Sequence, residues 1–295
     1  MNRIKSSITN NIGIFLVFAG PAVLAFLAVI IIPFIYGIYL TFTSWDGISR
    51  NKPFVGMANY VSVIKDGPFW SSLGLTVFYV IIAVLTVNAV AFALALLVSG
   101  KIKGSNFFRA GFFTPNLIGG IILGYIWQFI FKNILVSIGD TLNIAFLQKS
   151  WLSSSALAFA ALIVVTIWQY SGYMMLIYIA GLTGVSEDVR EAALIDGCTG
   201  SQVTRYIIIP LMRSSFTICI FLSITRCFMV YDLNLALTEG GPFGSTTMAA
   251  MYVYQKAFSS KQYGVGQTEA IILFLITAVI AVTQTMISKS KEVEA

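Results

Sequence analysis

Residues 190–210, REAALIDGCTGSQVTRYIIIP, form a polar island in an otherwise apolar chain. Just upstream, Ser186 can accept a hydrogen bond from the free N–H groups of a starting helix, and Glu187 and Asp188 place negative charge in its first turn, where the helix dipole favours it. Gly197 is positioned to close that helix, because glycine takes the left-handed conformation of a C-terminal cap without a Cβ penalty. Thr199-x-x-Gln202 has the spacing of a capping box, so a second helix starts at once and runs toward Pro210. The island reads as a short helix, a glycine turn and a second helix. Ala192 and Ala193 beside Glu191 would leave a small-residue surface where another protein can come close. The competing reading is a solvated interhelical loop, since charged runs are usually solvated faces.

Outward from the island, the flanking runs at roughly 156–182 and 216–237 are long and continuously apolar. The whole chain is 58% hydrophobic and 10% charged, with a mean hydropathy of +0.87, far from the roughly 25% charge of soluble domains. A bilayer core takes about 20 apolar residues of helix, and only helices or closed barrels satisfy every backbone polar group there. These runs do not alternate, so they predict helices. Six spans are expected, at roughly 12–40, 73–98, 110–131, 156–182, 216–237 and 265–287, giving an all-α integral membrane protein. The first run follows Arg3 and Lys5 but is too long for a signal-peptide core, so it reads as an anchor. Pro21 and Pro33 inside it predict a bent helix.

Six spans put both termini on one side. The expected inner set (Arg3, Lys5, Lys101, Lys103, Arg109, Arg190, Arg205, Arg213, Lys289, Lys291) outnumbers the outer set (Arg50, Lys52, Lys65, Lys132, Lys149, Lys256, Lys261), which predicts cytoplasmic termini. The net charge of +6 thus follows topology, and because the basic residues are spread with no basic cluster, nucleic-acid binding is disfavoured and no nucleic-acid partner is expected. Cys198, Cys219 and Cys227 lack metal-ligand spacing and histidine is absent, so no metal site is expected.

Turn chemistry marks the outer loops at Trp45-Asp46-Gly47, Asp66-Gly67-Pro68 and Glu239-Gly240-Gly241-Pro242. After the last, residues 246–258 could form a short helix on the outer membrane surface, with Met251, Tyr254 and Phe258 on one face. Gly120 and Gly124 make a small-xxx-small pair, read as helix packing. No nucleotide-hydrolysing motif exists: Gly100-Lys101 lacks the upstream glycine and the following Ser or Thr of a phosphate-binding loop.

Residues 191–210, EAALIDGCTGSQVTRYIIIP, resemble the EAA loop of binding-protein-dependent ABC importer permeases, with Glu191, Ala192, Ala193, Asp196, Gly197, Ile207 and Pro210 matching the pattern. LTEGGPFGSTTMAAMYVYQKAF, at 237–258, is similar to a segment of the carbohydrate-uptake, maltose-type permeases within that group. PFIYGIYLTFTSW, FVGMANYV, FFRAGFFTPN and IWQFIF also resemble that family, so the likeness covers nearly the whole chain. Cys198, Ser186 and Ser214 depart from the usual residues, as do Arg226 and Glu269 in or near spans five and six.

The resemblance implies the type I importer permease fold. It divides the chain into an N-terminal segment with the first span and an outer loop (1–70), a transmembrane domain (71–288) holding the EAA loop at 183–214, and a cytoplasmic tail (289–295). It further implies a permease subunit for a sugar or oligosaccharide in a bacterial or archaeal cell membrane. Expected partners are a second, different permease, two ATP-binding subunits and an extracytoplasmic solute-binding protein. This chain then carries no cofactor, because ATP and Mg²⁺ sit on the partner subunits. Glu191, Ala192, Ala193, Asp196, Gly197 and Pro210 would couple to the ATPase. Glu239, Gly240, Gly241, Pro242 and Lys256 are candidate contacts to the binding protein.

A mid-membrane arginine usually faces a partner or a water-filled cavity. On a continuous helix Ser223, Arg226 and Asn234 share a face, so with Glu269 they are the candidate solute path, Arg226 either touching solute or pairing with Glu269. Competing functions are an importer permease for glycerol-phosphate or an anionic glycan, a secondary transporter and a membrane enzyme. The twelve acidic residues are scattered and there is no histidine, which disfavours the enzyme. No repeat is visible, which disfavours the secondary transporter.

Overall fold

The computed structural model describes residues 17–100 and 103–290. Arg3, Lys5, Lys101 and Lys291 of the expected inner set, and most of the expected tail, lie outside the described residues. Among the described residues helices dominate, joined by loops, with no strand beyond one isolated bridge between Thr43 and Phe54. Five helices are long and apolar enough to cross a membrane: α1 (Val17–Leu40), α3 (Gly67–Ser99), α5 (Gly120–Leu142), α6 (Ser155–Gly184) and α12 (Tyr263–Lys289). A sixth span comes from a pair bent by 72°, α8 (Gly200–Leu211) and α9 (Arg213–Phe228). Shorter helices join them: α2 (Ala58–Ile64), α4 (Ser105–Phe113), α7 (Glu187–Ile195), α10 (Asp232–Thr238) and α11 (Ala249–Tyr254).

Two spans differ from the sequence reading. The third was expected at 110–131, but Pro115 and the Gly119-Gly120 pair divide that run. Residues 105–113 form α4, a 3₁₀ turn follows at Thr114–Leu117, and the span itself is Gly120–Leu142. Lys132 therefore sits within this span's π turn at Ile130–Ile134 and not in a loop. The fifth was expected unbroken at 216–237, but α9 ends at Phe228 and α10 begins at Asp232.

Prolines shape two helices by one device. A proline lacks the N–H that would bond the carbonyl four residues back. π turns at Leu27–Ile31 and Thr204–Ile208 stop just short of Pro33 and Pro210, widening the ladder where the bond is lost.

The chain divides into two compact units. The smaller joins the residues up to Asp66 with Val253–Ile271. Its loop after α1 is tied down by Asn59, whose Nδ2 donates to the Thr41 and Thr43 carbonyls at 2.8 Å each. Trp45 meets Tyr263 edge-on at 4.9 Å, and its carbonyl accepts from the Gly264 N–H. The larger unit comprises Gly67–Tyr252 and the chain from Ile272. There α6 lies against α3 and α9, with Met174, Met175 and Tyr178 buried among Val87, Ala91, Ala95 and Cys219. Gly172 lets the α4 backbone at Phe112 reach α6, where any Cβ would collide. Gly120 and Gly124 meet Asp232 and Ala236, so the small-residue pair packs α5 onto α10 as expected.

Candidate functional site

The island folds as its capping chemistry requires. α7 ends in a Schellman motif: the Gly197 N–H donates to the Leu194 carbonyl at 3.1 Å and the Cys198 N–H to the Ala193 carbonyl at 3.0 Å, with Gly197 left-handed at φ +87°. Thr199 and Gln202 close the capping box that starts α8. Ser186 stands at the N-cap of α7, but its hydroxyl makes no capping bond. The Arg190 guanidinium instead reaches back to the Leu182 carbonyl at 2.6 Å, fastening α7 to the negative end of α6.

These contacts give α7 two faces. Glu191, Ala192, Asp196 and Gly197 are exposed together with Val189, Leu194 and Ile195, the last 86% exposed. Val189, Leu194 and Ile195 thus leave an uncovered apolar strip among the polar residues of α7. Ala193 is the correction to the expected small-residue face: it points into the chain's own core, so Ala192 alone of the two alanines remains available. With Val203, Ile208 and Met212 it joins the buried cluster of α3, α6 and α9. Pro210 lies in α8 beyond its π turn. A cleft of about 440 Å³ opens beside the island between the ends of α3 and α6, lined by Ser99, Leu182, Glu187, Arg190 and Ile208.

The expected solute path does not form as a stripe. The chain breaks at Met229–Tyr231, which puts Ser223 and Arg226 on one helix and Asn234 on another. Ser223 is fully buried, accepting from Asn88 Nδ2 at 3.0 Å and donating to the Cys219 carbonyl at 2.7 Å. Asn88 accepts in turn from the Tyr178 hydroxyl at 2.8 Å, so this network locks α3, α6 and α9 together. Arg226 is half-buried, donates through Nη1 to Asn116 Oδ1 at 2.8 Å, and lies over the rings of Tyr173 and Tyr170, 4.6 and 5.3 Å from their centres. Glu269, in the smaller unit, is fully buried with neither carboxylate oxygen hydrogen-bonded, whereas Arg226 belongs to the larger unit. Asn116, Tyr170 and Tyr173 escaped the sequence reading. The Pro115-Asn116 turn inside an apolar run was the signal available for the first; nothing in the sequence marked the tyrosines.

Asn234 is fully buried and holds the loop that follows α10. Its amide donates to the Thr246 carbonyl at 2.8 Å and to the Thr238 hydroxyl at 3.0 Å, and accepts from the Met248 N–H at 3.2 Å. Glu239 is exposed in the left-handed region at φ +52°, and Gly240 follows at φ +78°. Gly241 and Pro242 are half-buried under the Thr246 hydroxyl, which donates to the Gly241 carbonyl at 2.7 Å. Phe243, which the sequence reading passed over, stands wholly exposed at the tip with φ +53°. Lys256 is not a free rim charge: its ammonium pairs with Asp66 at 2.6 Å, the two side chains 20% and 11% exposed. The outer helix is shorter than expected, α11 passing into a π turn at Gln255–Ser259. Met251 is buried, while the rings of Tyr254 and Phe258 meet tilted at 4.8 Å.

Residues 101–293 match the family model of the binding-protein-dependent transport system inner membrane component. The chain is 42% identical over 278 residues, 94% of each chain, to a probable starch degradation products transport system permease protein of Thermoanaerobacterium thermosulfurigenes. It is 33% identical to a multiple sugar-binding transport system permease protein of Streptococcus mutans, covering 88% of this chain and 90% of that one. In fold it resembles a membrane chain of a bacterial alginate ABC transporter crystallised with an alginate pentasaccharide-bound periplasmic protein, with a TM-score of 0.82 at 16% identity over 98% of each chain. The exposed island and the apolar spans that carry it are therefore those of a transporter subunit, and the chain belongs to the family of binding-protein-dependent transport system inner membrane components.

Proposed function

We infer that the chain is the membrane-spanning permease subunit of an ATP-driven importer for a sugar or oligosaccharide. The observation that carries this reading is near-full-length likeness to sugar permeases in a chain whose island presents an exposed apolar helix face. On this reading the protein spans a bacterial or archaeal cell membrane with both termini in the cytoplasm. It works with a second, different permease, two ATP-binding subunits that hold ATP and Mg²⁺, and a solute-binding protein outside.

The exposed face of α7, with Glu191, Ala192, Leu194, Ile195 and Asp196, seats an ATP-binding subunit. Because Ala193, Val203, Ile208 and Met212 lie in the same core as α3, α6 and α9, a push on the outer face moves the ends of those three helices. Close-packed interiors transmit displacement instead of absorbing it. Ser223, Asn88 and Tyr178 carry it along the helices as far as Arg226, whose half-buried guanidinium with Asn116 and the two tyrosines is the polar group on this chain best placed to meet solute. At the other end Glu239, Gly240, Gly241, Pro242 and exposed Phe243 present a braced loop to the binding protein. Reconstitution with the partner subunits tests the reading. Uptake of labelled maltooligosaccharide should require ATP, the binding protein and this chain; uptake driven by an ion gradient without ATP would overturn it.

A further inference from the structure

Glu269 is a buried acidic side chain that the packing around it does not explain. It lies at the start of α12, completely buried, and neither carboxylate oxygen has a hydrogen-bond partner. A carboxyl buried without hydrogen bonds is costly whether or not it is ionised, and an ionisable residue kept inside a membrane segment points to a role. Lys256 and Asp66 are near enough to act on Glu269 through their charge, Lys256 attracting its carboxylate and Asp66 repelling it. Lys256 is engaged by Asp66 at 2.6 Å.

The backbone brings Lys256 to the correct side of α12. Gly266 lies so close to the π turn carrying Lys256 that a Cβ there would stand 2.7 Å from the Ala257 Cβ. Residues 266 and 269 share a helix face, being three apart. Lys256 is thus neighbour to the residue packed over the face from which Glu269 projects. One ammonium is thus paired with one carboxylate and near the segment that carries a second, and a lysine on its flexible four-carbon stem can re-pair where a rigid arginine fork could not. π turns are also common at functional positions.

We propose that Lys256 exchanges between Asp66 and Glu269, and that this exchange positions the Gln255–Ser259 turn during transport. The pairing with Asp66 is one of its two states; in the other, Lys256 neutralises Glu269 inside the protein. Glu269 is then a positioning residue acting through Lys256. The transport half of the proposal rests on the importer reading above, whereas the exchange does not.

The test uses the assembled transporter in proteoliposomes and reads acylation of Lys256 by a water-soluble amine reagent with mass spectrometry. Asp66→Asn should send Lys256 to the buried Glu269 and lower its labelling several-fold. Asp66→Asn with Glu269→Gln should remove both carboxylates of the exchange and raise labelling above wild type. Equal increases in the single and double variants would overturn the exchange. Asp66→Ser gives the same comparison if Asp66→Asn assembles poorly. Glu269→Gln alone should cut ATP-driven uptake about tenfold at unchanged membrane abundance, and wild-type uptake by that variant would overturn the positioning role. Failure of the wild-type complex to import any sugar would overturn the importer reading, with the labelling comparison still deciding the exchange.

Discussion

Two of the helix breaks among the described residues, one in the polar island and one in the fifth span, arise for different reasons. Between α7 and α8 the break is written into local chemistry: Gly197 left-handed in a Schellman motif, then Thr199 and Gln202 in a capping box. Between α9 and α10 no residue does such work. Met229, Val230 and Tyr231 include neither glycine nor proline, and Tyr231 makes no capping bond at the start of α10. That break is held by distant parts of the chain. Gly120 and Gly124 admit α10 against α5, Gln128 Nε2 donates to the Ala236 and Leu237 carbonyls at 3.2 and 3.3 Å, and Arg226 ties α9 to Asn116. A turn built from caps can move as a lever without losing its shape, whereas one built from tertiary contacts holds only while its neighbours stay in place.

The difference predicts where substitutions hurt. The largest effect is expected at Gly124, in the neighbour and not in the break itself. A Cβ there would stand 2.5 Å from the Ala236 Cβ and 3.1 Å from the Leu237 backbone nitrogen, both too close. Gly124→Leu should cost about 1–3 kcal/mol as overpacking and lower the midpoint of thermal unfolding. An unchanged midpoint would show that α10 breaks on its own.

Gly197 comes next. Nothing lies within 4 Å of a Cβ built there, so its φ of +87° is the whole constraint. A non-glycine residue costs roughly 1–2 kcal/mol in that region, more for a β-branched one. Gly197→Val should therefore reach the membrane normally and lose uptake, because the cap turns α7 out of line. Wild-type uptake would mean that the turn is only a loop.

The smallest effects separate the two caps of the island. Thr199→Ala removes an engaged capping box and should cost about 1 kcal/mol. Ser186→Ala removes a hydroxyl that makes no capping bond and should stay within about 0.5 kcal/mol of wild type. Chemical denaturation of the purified complex compares them, and equal losses would contradict the assignment.

Much of this was legible in the sequence because local rules decided it. The long apolar runs gave the membrane helices, and Ser186, Gly197, Thr199 and Gln202 gave the island's boundaries. The Pro115-Asn116 and Gly119-Gly120 signals marked the interruption before α5, although the apolar run around them masked its meaning. The break at Met229–Tyr231 was not legible, because tertiary packing overrides an uninterrupted apolar pattern and leaves no local trace. For the same reason Arg226 and Asn234, spaced as one face of a helix, ended on two. Ala193 was readable as small but not as buried, since which face of α7 turns inward depends on α6 and α9. The Lys256–Asp66 pair joins segments too far apart in sequence for any spacing rule to reach.

The exposed face of α7 is the proposed seat of an ATP-binding subunit, and a substitution at Ile195 decides that proposal. Its side chain is 86% exposed and contributes nothing to the chain's own core, so Ile195→Asp should leave folding and membrane abundance unchanged. Co-purification of the ATP-binding subunit with tagged Ile195→Asp permease should fall at least about tenfold, as a charge placed in an apolar contact loses more than about 1.4 kcal/mol. Co-purification at the wild-type level would contradict the assignment of α7 as the seat.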